Sequence, residues 1–195
     1  MNRSLAAVAL ALAVLGAAPE PARAKVDARS VSFGIGGGVS VPVGDARSAF
    51  KTGFNGGAFV RLDLGTIPLA LRADFTYQNF ELPSSATPSG VVPGGGTGTL
   101  LAGLGDVQVY LGGGIVRPYL VAGLGAYSVR TEYNSDVLPT QTETRLGGHG
   151  GAGVLLTFGS LMLYAESTFD HIAARTGSPA GKALQVVPMT IGVIF

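Results

Sequence analysis

The stretch Leu69-Ala70-Leu71-Arg72-Ala73-Asp74-Phe75-Thr76-Tyr77-Gln78-Asn79-Phe80 decides how the chain is read. Leu69, Leu71, Ala73, Phe75 and Tyr77 fall on one face, and Arg72, Asp74, Thr76 and Gln78 on the other. A period of two is that of a β-strand, whose side chains alternate between the two sides of the sheet. The segment is also long enough to cross a bilayer as a tilted strand.

The same pattern recurs on both sides of it. In residues 56–65, Ala58, Val60, Leu62 and Leu64 lie opposite Phe59, Arg61 and Asp63. In residues 161–172, Leu161, Leu163, Ala165 and Phe169 lie opposite Tyr164, Glu166, Thr168 and Asp170. Residues 31–41 set Val31, Phe33, Ile35, Val39 and Val41 against a face of Ser and Gly only, as a narrow barrel interior requires. Residues 145–157 put Arg145 and His149 inside and Leu146, Ala152, Val154 and Leu156 outside. For residues 100–111, Leu101, Val107, Val109 and Leu111 are read as outward, with Asp106, Gln108 and Tyr110 inward. Residues 118–130 are apolar on both faces in places, and Tyr119, Val121, Tyr127 and Val129 are assigned outward. A last strand runs from Leu184 to Phe195, giving eight in all.

Composition points the same way. In 195 residues, 47% are hydrophobic, only 13% are charged and 31 are glycine, too little polar surface for a water-soluble domain of this size. Beyond residue 24 no apolar run approaches the length of a membrane-spanning helix. A chain without such a helix can satisfy its backbone in lipid only as a closed barrel. Cysteine is absent, which removes disulfide and thiolate chemistry.

Residues 1–24 form a leader: Arg3 supplies a basic start, Leu5 to Leu15 an apolar run, and Ala22-Arg23-Ala24 a small-x-small cleavage site. Cleavage is expected before Lys25, leaving a single barrel domain over residues 25–195. Removing Arg3, Arg23 and Glu20 leaves 11 basic and 11 acidic residues, and a net charge of zero argues against a nucleic-acid partner. Connections alternate in length. Short ones fall at Gly65 to Pro68, Gly112 to Arg117 and Phe158 to Ser160, and long ones cover 42–55, 81–99, 131–144 and 173–183. Bacterial barrels place short turns on the periplasmic side and long loops outside, so both termini are expected on the short-turn side. The loop 81–99, with Pro83, Pro88, Pro93 and Gly94-Gly95-Gly96, is expected to be exposed and without fixed structure.

The chain closes on Val187-Pro188-Met189-Thr190-Ile191-Gly192-Val193-Ile194-Phe195, apolar at alternate positions and aromatic at the end. This resembles the assembly signal of outer-membrane barrels. With Arg117-Pro118-Tyr119-Leu120-Val121-Ala122-Gly123-Leu124-Gly125 and Leu163-Tyr164-Ala165-Glu166, the chain looks like the small barrel family of opacity-type surface proteins and the OmpX and OmpW relatives. The resemblance covers residues 30–195. It implies an all-β fold: an eight-stranded antiparallel transmembrane β-barrel, an up-and-down meander, after a cleaved signal peptide. It also implies a monomer in the outer membrane, whose partners are outer-membrane lipid and lipopolysaccharide, the barrel-assembly machinery through Phe195, and host or cell-surface ligands through the loops.

Chemical sites read weakly. The inward charges Arg61, Asp63, Arg72, Asp74, Asp106, Arg145, Glu166 and Asp170 are expected to pair inside the lumen, because buried charge persists only when compensated. His149 and His171 are the only histidines, and the register turns them to opposite faces, away from a common metal ion. Ser167 and His171 share the outward face, but four residues along a strand is about 13 Å, too far for proton transfer. Gly148-His149-Gly150-Gly151-Ala152-Gly153 matches the dinucleotide fingerprint but leads into a strand, Val154 to Phe158, and not a helix. Its glycines are expected to make room inside the barrel or let the sheet bend. No catalytic, cofactor-binding or metal-binding residue is assigned and no cofactor is expected. The sequence predicts a non-enzymatic surface barrel, with a narrow conduit for small hydrophobic solutes or a lipid A-modifying enzyme as the rival readings.

Overall fold

The computed structural model describes residues 31–65, 67–83, 86–87, 90–91, 95–134, 140–159, 161–174 and 183–195. The leader and its cleavage site lie outside them. Among the described residues, ten strands and one short helix follow in chain order: β1 (Val31–Val43), α1 (Ala46–Ala49), β2 (Gly53–Asp63), β3 (Leu69–Leu82), β4 (Ala86–Thr87), β5 (Gly90–Val91), β6 (Gly96–Tyr110), β7 (Val116–Tyr133), β8 (Gln141–Phe158), β9 (Leu161–Ile172) and β10 (Leu184–Ile194). Eight of them close a barrel in the order β1-β10-β9-β8-β7-β6-β3-β2, every pair antiparallel, while β4 and β5 pair only with each other. Closure leaves no free sheet edge, the condition for a sheet to live in lipid. At the seam the chain's last residue is tied in: the Phe195 amide donates to the Phe33 carbonyl at 2.8 Å, and the Phe33 amide donates back at 3.1 Å.

The distribution of polarity is inverted relative to a water-soluble protein. Leu124 is 75% exposed and Ile191 69%, whereas Arg72 is 6% and Asp106 4% exposed. Phe33, Ile35, Phe54, Val60, Leu71, Phe75, Val107, Leu120, Leu146, Phe169 and Met189 extend the outer apolar surface. Such a continuous surface is a liability in water and is satisfied by lipid. Inside, two apolar clusters fill the barrel. Phe80, Leu100, Ala102, Leu104, Tyr127, Ile172 and Val186 pack toward the long-loop end, and Phe59, Tyr119, Val121, Leu155, Tyr164 and Ile194 toward the short-turn end.

The lumen accommodates these rings because the opposing inward positions are glycine. A Cβ on Gly34 would overlap the Phe59 ring, one on Gly36 the Tyr164 hydroxyl, and one on Gly153 the Tyr119 ring. The fingerprint-like glycine run is therefore packing space, since Gly153 receives Tyr119 and the neighbouring Gly147 lies under Tyr127. Turn glycines serve differently. Gly65, Gly114 and Gly159, one in each short turn, have φ of +59°, +99° and +61°, which favours a residue without Cβ.

The outward assignment of Tyr119, Val121, Tyr127 and Val129 is overturned. Tyr119, Val121 and Tyr127 are buried in the lumen at 2%, 2% and 0% exposure, and Val129 packs against the inner cluster. Leu120 and Leu124 face out instead. With both faces of β7 apolar, alternation carries no sign, and the register follows from which face meets the open space over Gly147 and Gly153. The strands also outrun the expected spans at the long-loop end. Leu82 pairs with Gly96, so 81–82 and 96–99 belong to the wall, and the loop between them contains the β4–β5 hairpin. Thr131 pairs with Gln141 in the same way. Polar residues keep the ladder going beyond the apolar belt because the backbone bonds do not depend on lipid. Arg117, read as part of a turn, lies in β7.

Candidate functional site

The inward charges come together as a network. β3 places Arg72 and Asp74 two residues apart on one face, so the guanidinium folds back on its own strand: Nε donates to Asp74 Oδ2 at 3.2 Å. Across the lumen, Arg72 Nη1 donates to Glu166 Oε2 at 2.6 Å, and the Tyr119 hydroxyl donates to the same oxygen at 2.9 Å. The guanidinium also lies over the Phe59 ring, 4.2 Å from its centroid, an attractive arrangement for a cation away from water. On the next tier, Gln78 Nε2 donates to Asp170 Oδ2 at 3.0 Å and Thr168 Oγ1 to Asp170 Oδ1 at 2.9 Å. His149 sits between two carboxylates, with Nε2 3.1 Å from Asp106 Oδ2 and Nδ1 3.6 Å from Asp170 Oδ1.

Nearer the ends, Arg61 pairs with Asp63 at 3.2 Å and Arg145 with Glu143 at 2.7 Å. Arg61, Asp63, Arg72, Asp74, Arg145 and Glu166 thus each meet an opposite charge, and Asp106 and Asp170 meet one when His149 is protonated. What remains open at mid-height is a cavity of about 50 Å³, lined by Asn55, Arg72, Asp74, Gln78, Glu166 and Asp170 among others. That is room for a few water molecules.

The remaining sequence candidates do not assemble. His149 points into the lumen and His171 outward, where its Nδ1 lies 3.3 Å from Gln185 Nε2. Among the described residues no three His, Cys, Asp or Glu side chains are placed to hold a metal ion. Ser167 and His171 both face outward on β9, as expected. Sequence reasoning missed Tyr119, hidden by the inverted register of β7, and Asn55, assigned to a loop. Asn55 bridges the closing seam from inside: Nδ2 donates to the Val39 carbonyl at 2.8 Å, and Thr190 Oγ1 donates to Oδ1 at 2.9 Å. The available signal was the alternation that resumes at Gly53-Phe54-Asn55, in phase with Ala58 and Val60 outward.

A closed meander barrel with a charged, self-paired lumen and an apolar exterior is the architecture of bacterial outer-membrane proteins, and the family model for the outer membrane protein β-barrel domain matches residues 7–173. The chain belongs to this outer-membrane β-barrel family. A search of curated proteins finds no match. Among solved structures, this outer-membrane barrel is similar to neisserial surface protein A, at 14% identity over 84% of this chain and 94% of the other, with a TM-score of 0.59. A major outer membrane protein of Thermus thermophilus is similar at 15% identity, over 85% and 98% of the two chains, TM-score 0.53. The attachment invasion locus protein of Yersinia pestis, crystallised with the heparin analogue sucrose octasulfate, is similar at 12% identity, over 85% and 97%, TM-score 0.50. At such identities the likeness is one of fold.

Proposed function

We propose that the protein is exported by a leader cleaved before Lys25 and sits in the outer membrane as a rigid, non-enzymatic mount for its long loops. Those loops meet lipopolysaccharide and ligands on other cell surfaces. The supporting observation is the filling of the lumen at mid-height: among the described residues, two apolar clusters and a paired charge network leave a cavity of about 50 Å³ there. With the interior spent on stability, recognition falls to the loops, as is common where a rigid scaffold presents them. An apolar conduit is disfavoured by the same network. Phe195, bonded into the seam, is the contact offered to the barrel-assembly machinery.

Planar bilayers carrying the refolded protein are expected to show no sustained conductance above the lipid background. Stable unitary steps would return the conduit reading. Topology is tested on cells. An epitope inserted after Ser89 should leave the barrel heat-modifiable on gels, since lengthening a loop costs only about 0.6 kcal/mol per doubling. The tag should be stained without permeabilisation, and N-terminal sequencing of the outer-membrane fraction should begin at Lys25. Staining only after the outer membrane is opened would invert the orientation. The heparin analogue held by the Yersinia pestis barrel makes immobilised heparin a reasonable first ligand for the loops, to be compared with a variant in which residues 83–95 are replaced by a tight turn.

A further inference from the structure

Among the described residues, the charges at the short-turn mouth do not compensate one another. Two guanidinium groups, Arg61 and Arg117, flank the Tyr110 ring, with their Cζ atoms 6.0 and 5.5 Å from its centroid. Among the described residues one carboxylate, Asp63, faces them, and both of its oxygens are engaged: Oδ2 lies 3.2 Å from Arg61 Nη2, and Oδ1 accepts from the Tyr110 hydroxyl at 2.8 Å. Arg117 Nη2 reaches, among the described residues, only the Thr157 hydroxyl, at 3.4 Å. Arg61 Nε and Nη1 and Arg117 Nε are buried with no acceptor among the described residues, and Arg61 as a whole is 3% exposed. Unpaired guanidinium donors out of water are costly unless something accepts from them.

These groups line an open cavity of about 610 Å³, bounded on one side by Gly112, Gly113 and Gly114, which put no side chain across the entrance. We propose that this mouth binds an oxyanion, a carboxylate or phosphate group, held between Arg61 and Arg117 with Tyr110 as the floor. A planar guanidinium fork matches both anions, and two forks facing one carboxylate leave a positive charge over for the ligand. Asp63 then acts as an internal competitor that holds Arg61 when the site is empty. Both arginines are inward-facing, so the anion enters along the barrel axis. That it comes from the periplasm rests on the topology proposed above, whereas binding itself does not, so the two fail separately.

The test uses the full barrel in dodecyl maltoside micelles, which contain no phosphate, with the arginine Nε–Hε resonances recorded. One arm adds potassium phosphate at constant ionic strength. The other adds phosphatidylglycerol and no free phosphate. Saturable shifts of the Arg61 and Arg117 resonances are expected, and the arm that produces them tells a soluble anion from a lipid headgroup. Arg117→Gln should weaken binding by about tenfold or more, the loss of one charge-assisted contact. Asp63→Asn should strengthen it, which a purely structural ion pair does not predict. Shifts that fail to saturate in both arms, or an Asp63→Asn barrel that folds and binds no better, would overturn the site. Should Arg117→Gln fail to fold, the Asp63→Asn comparison still decides.

Discussion

Arg72→Met destabilises the folded barrel by about 3–5 kcal/mol, the cost of removing one partner from a buried ion pair. The size follows from what stays behind. Asp74 and Glu166 both turn to the Arg72 guanidinium, with side chains 6% and 10% exposed, and without it two carboxylates face each other across a lumen with room for only a few waters. Tyr119 loses its arrangement with them, because its hydroxyl donates to Glu166. Leu71→Met, one residue away on the outer face where Leu71 is 46% exposed, roughly conserves volume and apolarity and should cost less than about 1.5 kcal/mol. Urea titration in lipid vesicles, followed by the gel mobility of the folded form, ranks the two. A triple variant that adds Asp74→Asn and Glu166→Gln should recover part of the loss, since it removes the stranded charge. Equal midpoints for Arg72→Met and Leu71→Met would mean that the network is hydrated and contributes little.

Gly153→Ala is the second large effect, although it adds a single methyl group. The new Cβ overlaps the Cζ and hydroxyl of Tyr119 and comes within 2.8 Å of the Ala165 carbonyl oxygen, which belongs to the sheet and cannot turn aside. Displacing Tyr119 also pulls at Glu166 and through it at Arg72. Overpacking of this kind costs about 1–3 kcal/mol. Gly103→Ala is the control: it lies on the outer side of β6 with nothing within 4 Å of the added Cβ, and it should be neutral or gain up to about 1 kcal/mol from a less flexible unfolded chain. Equal stability of the two variants would show that Tyr119 repacks freely and that the inward glycines are not specific berths.

The legible part of the fold was the part written in local alternation. Charges confined to one face in residues 56–65, 69–80 and 161–172 fix those strands, their facing and the polar interior, because a one-residue slip would expose every charge to lipid. The alternation of short and long connections gives the meander and the shared side of both ends. Composition gives the inverted distribution of polarity. For the candidate site, the membership of the charge network was legible, since inward parity identifies each member.

Its connectivity was not. Arg72 and Glu166 are 94 residues apart, and that they meet while Arg145 turns to Glu143 on its own strand depends on how the closed sheet is staggered, which no local pattern encodes. The same holds for β7, where apolar residues on both faces left the direction open until the space above Gly147 and Gly153 decided it. The mouth formed by Arg61, Tyr110 and Arg117 belongs here too. It draws on the paired strands β6 and β7 and on β2, which β3 separates from β6, so its uncompensated charge comes into being when the curled wall brings Arg61 against the Tyr110 ring. The sequence by itself determined a closed transmembrane sheet with a charged inside, because strand period and burial are properties of single segments. Tertiary structure alone decided which charge answers which, and where one is left unanswered, because pairing across a lumen is set by closure and stagger of the whole barrel.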